Sequence, residues 1–274
     1  MLSLNKMKEA INYYSNSNII KFPLNSKRKN VEENKEDLVI NLLNKSCFDY
    51  LKGIESDSVD LVLIDPPYEI SKPTGFASGG GVERFAVSMD FGDWDKNFSG
   101  LDLVINEAYR VLKKGGTFIC FYDIWKITPL KEQMEKSKFK QLRFLEWVKT
   151  NPVPLNSKTN YLTGAREIAL LGVKGSKPTF NSEYDKGIYD FPIYHSKTRF
   201  HPTQKPIKLI SELIKKHSNP GDLVVDCFSG SGTTAIASIL TGRNFNGCEL
   251  DFDYYKKSIE RLNQLNIDIK LIFQ

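Results

Sequence analysis

The sequence has few cysteines and histidines, and their placement argues against two kinds of protein. Only 4 cysteines and 3 histidines occur among 274 residues, and no two cysteines form a Cys-x-x-Cys pair. A structural zinc site needs closely grouped Cys or His ligands, so we expect no metal. A disulfide framework is equally unexpected in a long chain with so little cysteine. We therefore interpret the cysteines as small buried hydrophobic residues, namely Cys47, Cys120, Cys227 and Cys248.

Long apolar runs are also missing. No stretch approaches the roughly 18 consecutive apolar residues of a membrane helix, and residues 1–8 lack the apolar centre of a secretory signal. We therefore predict a cytoplasmic protein without a membrane partner. The net charge of +5 is compatible with a polyanionic partner, but many proteins that bind no nucleic acid have a similar balance.

The order of apolar and polar segments predicts an α/β protein. Residues 1–37 are polar and rich in Asn, Lys and Ser, which indicates an N-terminal extension. From residue 38 to 274, strand and helix patterns alternate, as in a doubly wound, mostly parallel sheet. Residues 151–163 and 174–200 have the composition of an irregular insertion. The predicted strands are 38–43, 59–64, 117–122, 144–148, 167–173, 222–226 and 245–248, and the predicted helices are 47–54, 101–113, 207–216, 233–240 and 253–265.

One predicted strand ends in a glycine-rich turn that leads into a helix. Its sequence is Asp226-Cys227-Phe228-Ser229-Gly230-Ser231-Gly232-Thr233-Thr234. Two glycines allow the backbone to approach a ligand closely, and the helix start directs free N–H groups toward it. Glu249 ends the next strand, where it could accept hydrogen bonds from both hydroxyls of a ribose. These features predict a nucleoside site but leave a nicotinamide cofactor and S-adenosylmethionine as alternatives.

A second strand ends in Asp65-Pro66-Pro67-Tyr68. In doubly wound sheets, ligands bind at the carboxyl ends of the strands. The carboxylate of Asp65 and the carbonyl of Pro66 could each accept one hydrogen of a planar amino group. The ring of Tyr68 could stack on a base, a contact worth about 1–3 kcal/mol. The alternative is a tight turn that merely ends the strand.

Together, the two motifs resemble those of the amino-DNA methyltransferases, over roughly residues 39–262. The catalytic tetrapeptide precedes the cofactor turn, which is the permuted order of that family's β group. Residues 199–206 (RFHPTQKP) resemble the segment that precedes the cofactor turn in this group, and residues 147–152 (WVKTNP) give a weaker match. The resemblance implies a seven-stranded sheet of the S-adenosylmethionine-dependent methyltransferase type, with one antiparallel strand.

The resemblance also implies roles for individual residues. Asp65, Pro66, Pro67 and Tyr68 would be catalytic. Lys205 would lie near the cofactor carboxylate, although an exposed lysine at a helix start is the alternative. Ser46 stands where the family often has an aspartate that contacts the cofactor's adenine. The residues expected to bind S-adenosyl-L-methionine are Asp226, Phe228, Ser229, Gly230, Ser231, Gly232, Thr233, Glu249, Lys205 and Ser46.

DNA is the partner that the resemblance implies. The target-recognition region would be residues 151–200, and the expected DNA contacts are Arg199, Lys149, Asn151 and Lys158. The target base would be flipped out of the duplex, with the Gly-rich segment 69–95 closing over it. The protein would be bacterial or phage-encoded, either an orphan methylase or part of a restriction–modification system with a cognate endonuclease. A homodimer is a further expectation.

Adenine N6 is the expected target, because the tetrapeptide more often begins with Asp in adenine enzymes and with Ser in cytosine-N4 enzymes. Cytosine N4, an RNA or protein amide, and a DNA-binding module without catalysis are the alternatives. Cytosine C5 methylation needs a cysteine nucleophile. That family's nucleophile follows a proline, and none of the cysteines here does.

Overall fold

A computed structural model describes residues 19–22, 38–68, 98–152, 164–175, 177–194 and 199–272. The segment 69–95, expected to close over the base, and Lys158, an expected DNA contact, lie outside these ranges. Within the described ranges, no helix combines the length and the apolar character needed to cross a bilayer.

Nine strands and six helices follow one another along the described chain. The strands are β1 (Ile19–Phe22), β2 (Leu38–Asn44), β3 (Val59–Ile64), β4 (Leu112–Tyr122), β5 (Lys140–Lys149), β6 (Arg166–Val173), β7 (Ile188–Phe191), β8 (Leu223–Asp226) and β9 (Asn244–Glu249). The helices are α1 (Cys47–Lys52), α2 (Leu101–Val111), α3 (Ile127–Lys136), α4 (Ile207–His217), α5 (Thr233–Thr241) and α6 (Phe252–Ile272), and a 3₁₀ turn (Ile124–Lys126) precedes α3.

All nine strands form one sheet in the order β1-β2-β9-β8-β3-β4-β6-β5-β7. From β2 to β4 each neighbouring pair is parallel, whereas β6 runs antiparallel to both β4 and β5. The strands β2 to β6, β8 and β9 therefore confirm the predicted seven-stranded sheet with one antiparallel member. The short strands β1 and β7 extend it at its two edges.

The structure corrects several details of the sequence interpretation. Helix α3 was not predicted, although Ile127, Leu130 and Met134 have helical spacing. Helix α2 ends at Val111 rather than at residue 113, because the chain from Leu112 already pairs with neighbouring backbone. The segment 174–200, which was expected to be irregular, includes the short strand β7 at Ile188–Phe191.

Both faces of the sheet are covered by helices. On β3, the side chains of Leu61 and Leu63 pack with α4, α5 and α6, whereas Val62 and Ile64 pack with α1, α2 and α3. A strand buried on both faces needs apolar residues at every position, which explains its continuous apolar run. All four cysteines are buried and free, as predicted.

The sheet changes winding direction between β3 and β8. These strands are parallel neighbours, with Leu61 beside Val224 and Val62 beside Val225. After β8 the chain passes through α5 to β9 on one side, and after β3 it passes through α2 to β4 on the other. Such a switch point leaves a crevice at the carboxyl ends of the two strands. The Asp-Pro-Pro-Tyr turn and the glycine turn therefore lie side by side.

A close backbone approach on β9 gives a prediction about stability. Gly247 is paired with Asp226, and a Cβ atom there would lie 2.6 Å from the Asp226 carbonyl oxygen and 2.5 Å from the Phe245 ring. Because the backbone oxygen cannot move away, we expect Gly247→Ala to lower the free energy of unfolding by about 1–3 kcal/mol. Urea denaturation measures the change.

Gly164→Ala is the matched control, because a Cβ at Gly164 would meet no atom within 4 Å. It should unfold at nearly the wild-type urea concentration. Equal stability of Gly247→Ala and Gly164→Ala would contradict the steric explanation.

Candidate active site

A cavity of about 980 Å³ lies at the switch point. Both predicted motifs line it, one from the end of β3 and the other from the end of β8. The predicted residues that line it are Ser46, Asp65, Pro66, Pro67, Tyr68, Lys149, Arg199, Lys205, Asp226, Phe228, Ser229, Gly230, Ser231, Thr233 and Glu249. Gly232 and Asn151 are not part of the lining.

The glycine turn depends on two left-handed residues. Gly230 has φ 49° and Gly232 has φ 72°, conformations that residues with a Cβ rarely adopt. A Cβ would also lie 3.2 Å from the His201 ring at Gly230, and 3.2 Å from Ser258 at Gly232. Gly232 thus shapes the turn without lining the cavity, and α5 begins at the next residue.

Asp226 holds this turn in shape. Its Oδ1 accepts a hydrogen bond from the Phe228 N–H at 2.9 Å, and its Oδ2 accepts one from the Thr234 hydroxyl at 2.7 Å. Only 4% of the residue is exposed, and burial raises its pKa to about 7. Asp226 therefore holds the glycine turn to the start of α5. Thr234 was not predicted as a site residue, although it belongs to the quoted motif.

Glu249 ties the end of β9 to the same turn. Its Oε2 accepts from the Gly230 N–H at 2.7 Å, and its Oε1 accepts from the Asp251 N–H at 2.8 Å. Burial raises the pKa of this carboxyl, although the backbone N–H groups act in the opposite direction. Each oxygen keeps a further lone pair, so Glu249 can still accept from a ribose.

Aromatic side chains form one wall of the cavity. The Phe98 ring lies edge-on to Phe228, with 5.3 Å between centroids, and is parallel to Phe48 at 6.3 Å. Ser46, also on the cavity wall, accepts from the Asp49 N–H and thereby caps α1. An apolar wall with a few polar groups is typical of a site for a planar ligand.

Asp65 receives two hydrogen bonds from within the protein. Its Oδ1 accepts from the Tyr68 hydroxyl at 2.6 Å, and its Oδ2 accepts from Lys205 Nζ at 2.5 Å. Tyr68 is itself held in place, because its carbonyl accepts from Lys126 Nζ at 2.8 Å and its ring meets the edge of Tyr122. The carboxylate is thus fixed in direction, with 22% of its side chain exposed.

Lys205 belongs to a chain of alternating charges. Its Nζ also lies 3.1 Å from Glu167 Oε2, and Glu167 Oε1 lies 2.8 Å from Lys149 Nζ. Glu167 was missed in the sequence because a single glutamate in a strand has no motif. The alternative of an exposed lysine at position 205 is wrong, since only 7% of its side chain is exposed.

The neighbouring charges of Asp65, Lys205 and Glu167 shift one another's pKa values. Burial raises the pKa of Asp65, and Lys205 offsets this only in part. Burial alone would lower the pKa of Lys205 and raise that of Glu167. The neighbouring opposite charges outweigh burial in both cases, so the pKa of Lys205 is raised and that of Glu167 is lowered. Lys205 and Glu167 are therefore charged at neutral pH.

The expected DNA contacts have other partners in the structure. Lys149 Nζ lies 2.8 Å from Glu167 Oε1 and 5.3 Å above the Trp147 ring. The Asn151 side chain accepts from the Ile193 N–H at 2.6 Å. Arg199 donates to the carbonyls of His201 and Pro202.

The chain matches a family model described as DNA methylase, of the N6 and N4 type, over residues 59–260. It belongs to this family. The type II methyltransferase M2.MboI of Moraxella bovis is 30% identical over 262 residues, which cover 87% of this chain and 93% of the relative. The type II methyltransferase M2.DpnII of Streptococcus pneumoniae is 31% identical over 246 residues, covering 82% and 90%.

Solved structures agree with this membership. The M1.HpyAVI–SAM complex matches with a TM-score of 0.62 and 27% identity, covering 81% of this chain and 99% of the other. The PvuII DNA methyltransferase, described as cytosine-N4-specific, has a TM-score of 0.63 but 16% identity, which shows the fold alone; the match covers 80% of this chain and 85% of the other. The protein is a DNA methyltransferase, and its methyl donor is S-adenosylmethionine.

The buried Asp226 gives a prediction about pH. Its pKa is about 7 in the folded protein, against 3.8 for the ordinary side chain. The folded state therefore holds a proton that the unfolded state loses, and this carboxyl contributes a loss of stability as the pH rises from about 4 to 7. Asp226→Asn cannot ionise. Its free energy of unfolding relative to wild type should rise over that range by roughly 4 kcal/mol.

Urea denaturation at several pH values measures this difference. Above pH 7 the difference should level off, because Asp226 is then ionised in both states of the wild type. A difference that stays constant from pH 4 to 8 would contradict the assignment.

Proposed function

We propose that this protein transfers the methyl group of S-adenosylmethionine to the N6 amino group of adenine in a specific DNA sequence. The observation that carries the proposal is the shared cavity. Asp65 and Pro66 lie at the end of β3, and the glycine turn of β8 lies beside them. A site for an amino group and a site for a nucleoside cofactor are thus adjacent.

The residues of the glycine turn fit S-adenosylmethionine. Gly230 lines the cavity and has no side chain to narrow it. Gly230 and Ser231 would hold the amino-acid part, Phe228 would contact it, and Glu249 would accept from the ribose. When bound, the cofactor supplies an electrophilic methyl group on a sulfonium.

Asp65 and Pro66 would orient the target amino group. A carboxylate keeps lone pairs after accepting one bond at each oxygen, so Asp65 can accept an amino hydrogen. Pro66 is buried, its own ring restricts its φ, and the following Pro67 restricts its ψ, so the direction of the Pro66 carbonyl is fixed. Holding both amino hydrogens fixes the nitrogen lone pair in one direction, which is catalysis by orientation. Asp65 also stabilises the positive charge that develops on the nitrogen.

The target base has to leave the DNA stack to reach this site. Asp65 lies inside the cavity with most of its side chain buried, where an intact duplex cannot place an adenine. The volume of about 980 Å³ is at the upper end of the usual range for ligand pockets, enough for a cofactor and a base together.

The DNA would approach across residues 151–200, which we propose as the target-recognition region of the catalytic domain 38–274, with residues 1–37 as an extension. Gly164, Arg166 and Arg199 line the cavity, and 68% of the Arg166 side chain is exposed. An exposed guanidinium beside the site can contact a phosphate. The relatives' description as type II enzymes supports a restriction–modification setting, with a cognate endonuclease as partner.

The proposed product can be tested directly. Genomic DNA lacking adenine and cytosine methylation is incubated with the protein and cofactor labelled on the methyl group, then digested to nucleosides. We expect the label in N6-methyladenine. Label in N4-methylcytosine would replace the adenine assignment, and the absence of label in DNA would contradict the proposed function.

Asp65→Asn tests the catalytic assignment. The amide keeps the size of the side chain but loses the negative charge that faces the amino group. We expect the turnover number to fall by about 100-fold or more, the usual cost of one such stabilising group. Single-turnover methylation of DNA is the measurement.

Asp57→Asn is the matched control. Asp57 is also an aspartate paired with a lysine, Lys174, at 2.9 Å, but it lies at the opposite end of β3. Its φ of 58° is tolerated by asparagine. The control should retain wild-type turnover, and equal losses in both variants would remove Asp65 from the mechanism.

A further inference from the structure

We propose that Lys205 and Glu167 are positioning residues that act in opposite directions on Asp65, Lys205 keeping it ionised and Glu167 moderating that effect. This inference rests on the proposed function, because it assigns a purpose to the charge of Asp65 during methyl transfer. It gives Lys205 a different principal role from the cofactor contact that the family resemblance implies.

The contacts of Lys205 leave its ammonium little freedom. Nζ lies 2.5 Å from Asp65 and 3.1 Å from Glu167, and it also lies 5.0 Å from the centre of the Phe121 ring and 5.9 Å from that of Tyr68. Reaching a group elsewhere in the cavity would break two ion pairs in a buried setting. The geometry therefore favours the carboxylates as its partners.

A contribution to folding stability is a poor explanation for this cluster of charges, because the cluster is largely shielded from water. Removing charges from water costs several kcal/mol per ion, and buried ion pairs often fail to recover it. Asp65, Glu167, Lys149 and Lys205 alternate in sign and sum to zero, which lowers that cost but does not make the cluster better than an apolar core. A cluster of charges placed beside the amino-group site at the end of β3, with members from β5 and β6, is better explained by the reaction.

The reaction requires the ionised form of Asp65. A protonated carboxyl would present an O–H toward the amino nitrogen and would compensate no positive charge there. Lys205 favours the ionised form of Asp65 and Glu167 opposes it, since the two have opposite charges and the Glu167 carboxylate pairs with the same ammonium as Asp65. Tyr68 donates to the other oxygen, so the plane of the carboxylate is fixed from both sides. The charged or titratable groups that act on Asp65 or are acted on by it are Lys205, Glu167, Tyr68, Cys120 and Asp226.

The test compares Lys205→Met with Glu167→Gln. Carbon-13 NMR of labelled aspartate carboxyls follows the titration of Asp65, whose signal is assigned by its loss in Asp65→Asn. We expect the apparent pKa of Asp65 to rise by about 1–3 units in Lys205→Met and to fall in Glu167→Gln. Shifts of the same sign in both variants, or no shift in either, would overturn the proposal.

The pH at which DNA methylation is lost on the acid side should shift in the same direction as the apparent pKa of Asp65 measured by NMR. In Lys205→Met, activity should return only at higher pH, and in Glu167→Gln it should persist to lower pH. Because the NMR measurement needs no turnover, it decides the proposal even if the wild type methylates no DNA. Failure of the proposed function is recognised separately, by unlabelled DNA with wild-type protein.

A cofactor role for Lys205 predicts a different result. The dissociation constant of S-adenosylhomocysteine, measured by calorimetry, should then rise about tenfold or more in Lys205→Met, equivalent to one lost charged contact. That outcome, with an unchanged Asp65 titration, would overturn the proposal. We expect the dissociation constant to stay close to the wild-type value.

Lys216→Met is the matched control for loss of an ion pair. Lys216 lies at the far end of α4, 2.6 Å from Asp185 and 4.5 Å from the centre of the Tyr189 ring. Its loss should leave the Asp65 titration unchanged. Lys205→Arg keeps the positive charge, so the apparent pKa of Asp65 should stay close to its wild-type value. Should Lys205→Met fail to fold, the sign of the shift in Glu167→Gln decides the proposal, because that change is isosteric.

Discussion

Parallel pairing of β3 with β8 is the constraint on which the site depends. Two turns that are distant in the sequence meet because their strands are hydrogen-bonded neighbours and their chains then leave in opposite directions. The crevice between the turns follows from strand order alone. Asp65 and Asp226, at the ends of these two strands, both line the cavity.

The carboxylates on the two sides of the cavity have different kinds of hydrogen-bond donor. Beside the glycine turn, Asp226 and Glu249 accept from backbone N–H groups, and Asp226 also accepts from a threonine hydroxyl. Beside the Asp-Pro-Pro-Tyr turn, Asp65 and Glu167 are paired with lysines. Backbone donors cannot move without distorting the turn, so the first arrangement fixes shape. The second arrangement fixes charge, since a lysine partner favours the ionised carboxylate.

The sequence predicted the parts of the molecule in which local chemistry determines structure. The turns at residues 65–68 and 226–232, and the continuous apolar runs of β3 and β8, were recognisable because proline, glycine and burial on both faces each leave a local pattern. Strands β1 and β7 have four residues each and lie at the sheet edges, where short runs give little signal. Glu167 and its ion pairs with Lys149 and Lys205 could not be found, because an ion pair between separate elements depends on how the elements pack.

Charges alternate in sign from Lys149 through Glu167 and Lys205 to Asp65. This alternation limits which substitutions can accumulate at these positions in related proteins. A mutation that neutralises one member leaves its neighbour as an unbalanced ion in a buried place, which is more harmful than losing two opposite members together. Evolutionary paths that alter this part of the cavity should therefore exchange residues in pairs of opposite sign. Position 65, to which we assign a role in the reaction, would be the slowest of the four to change.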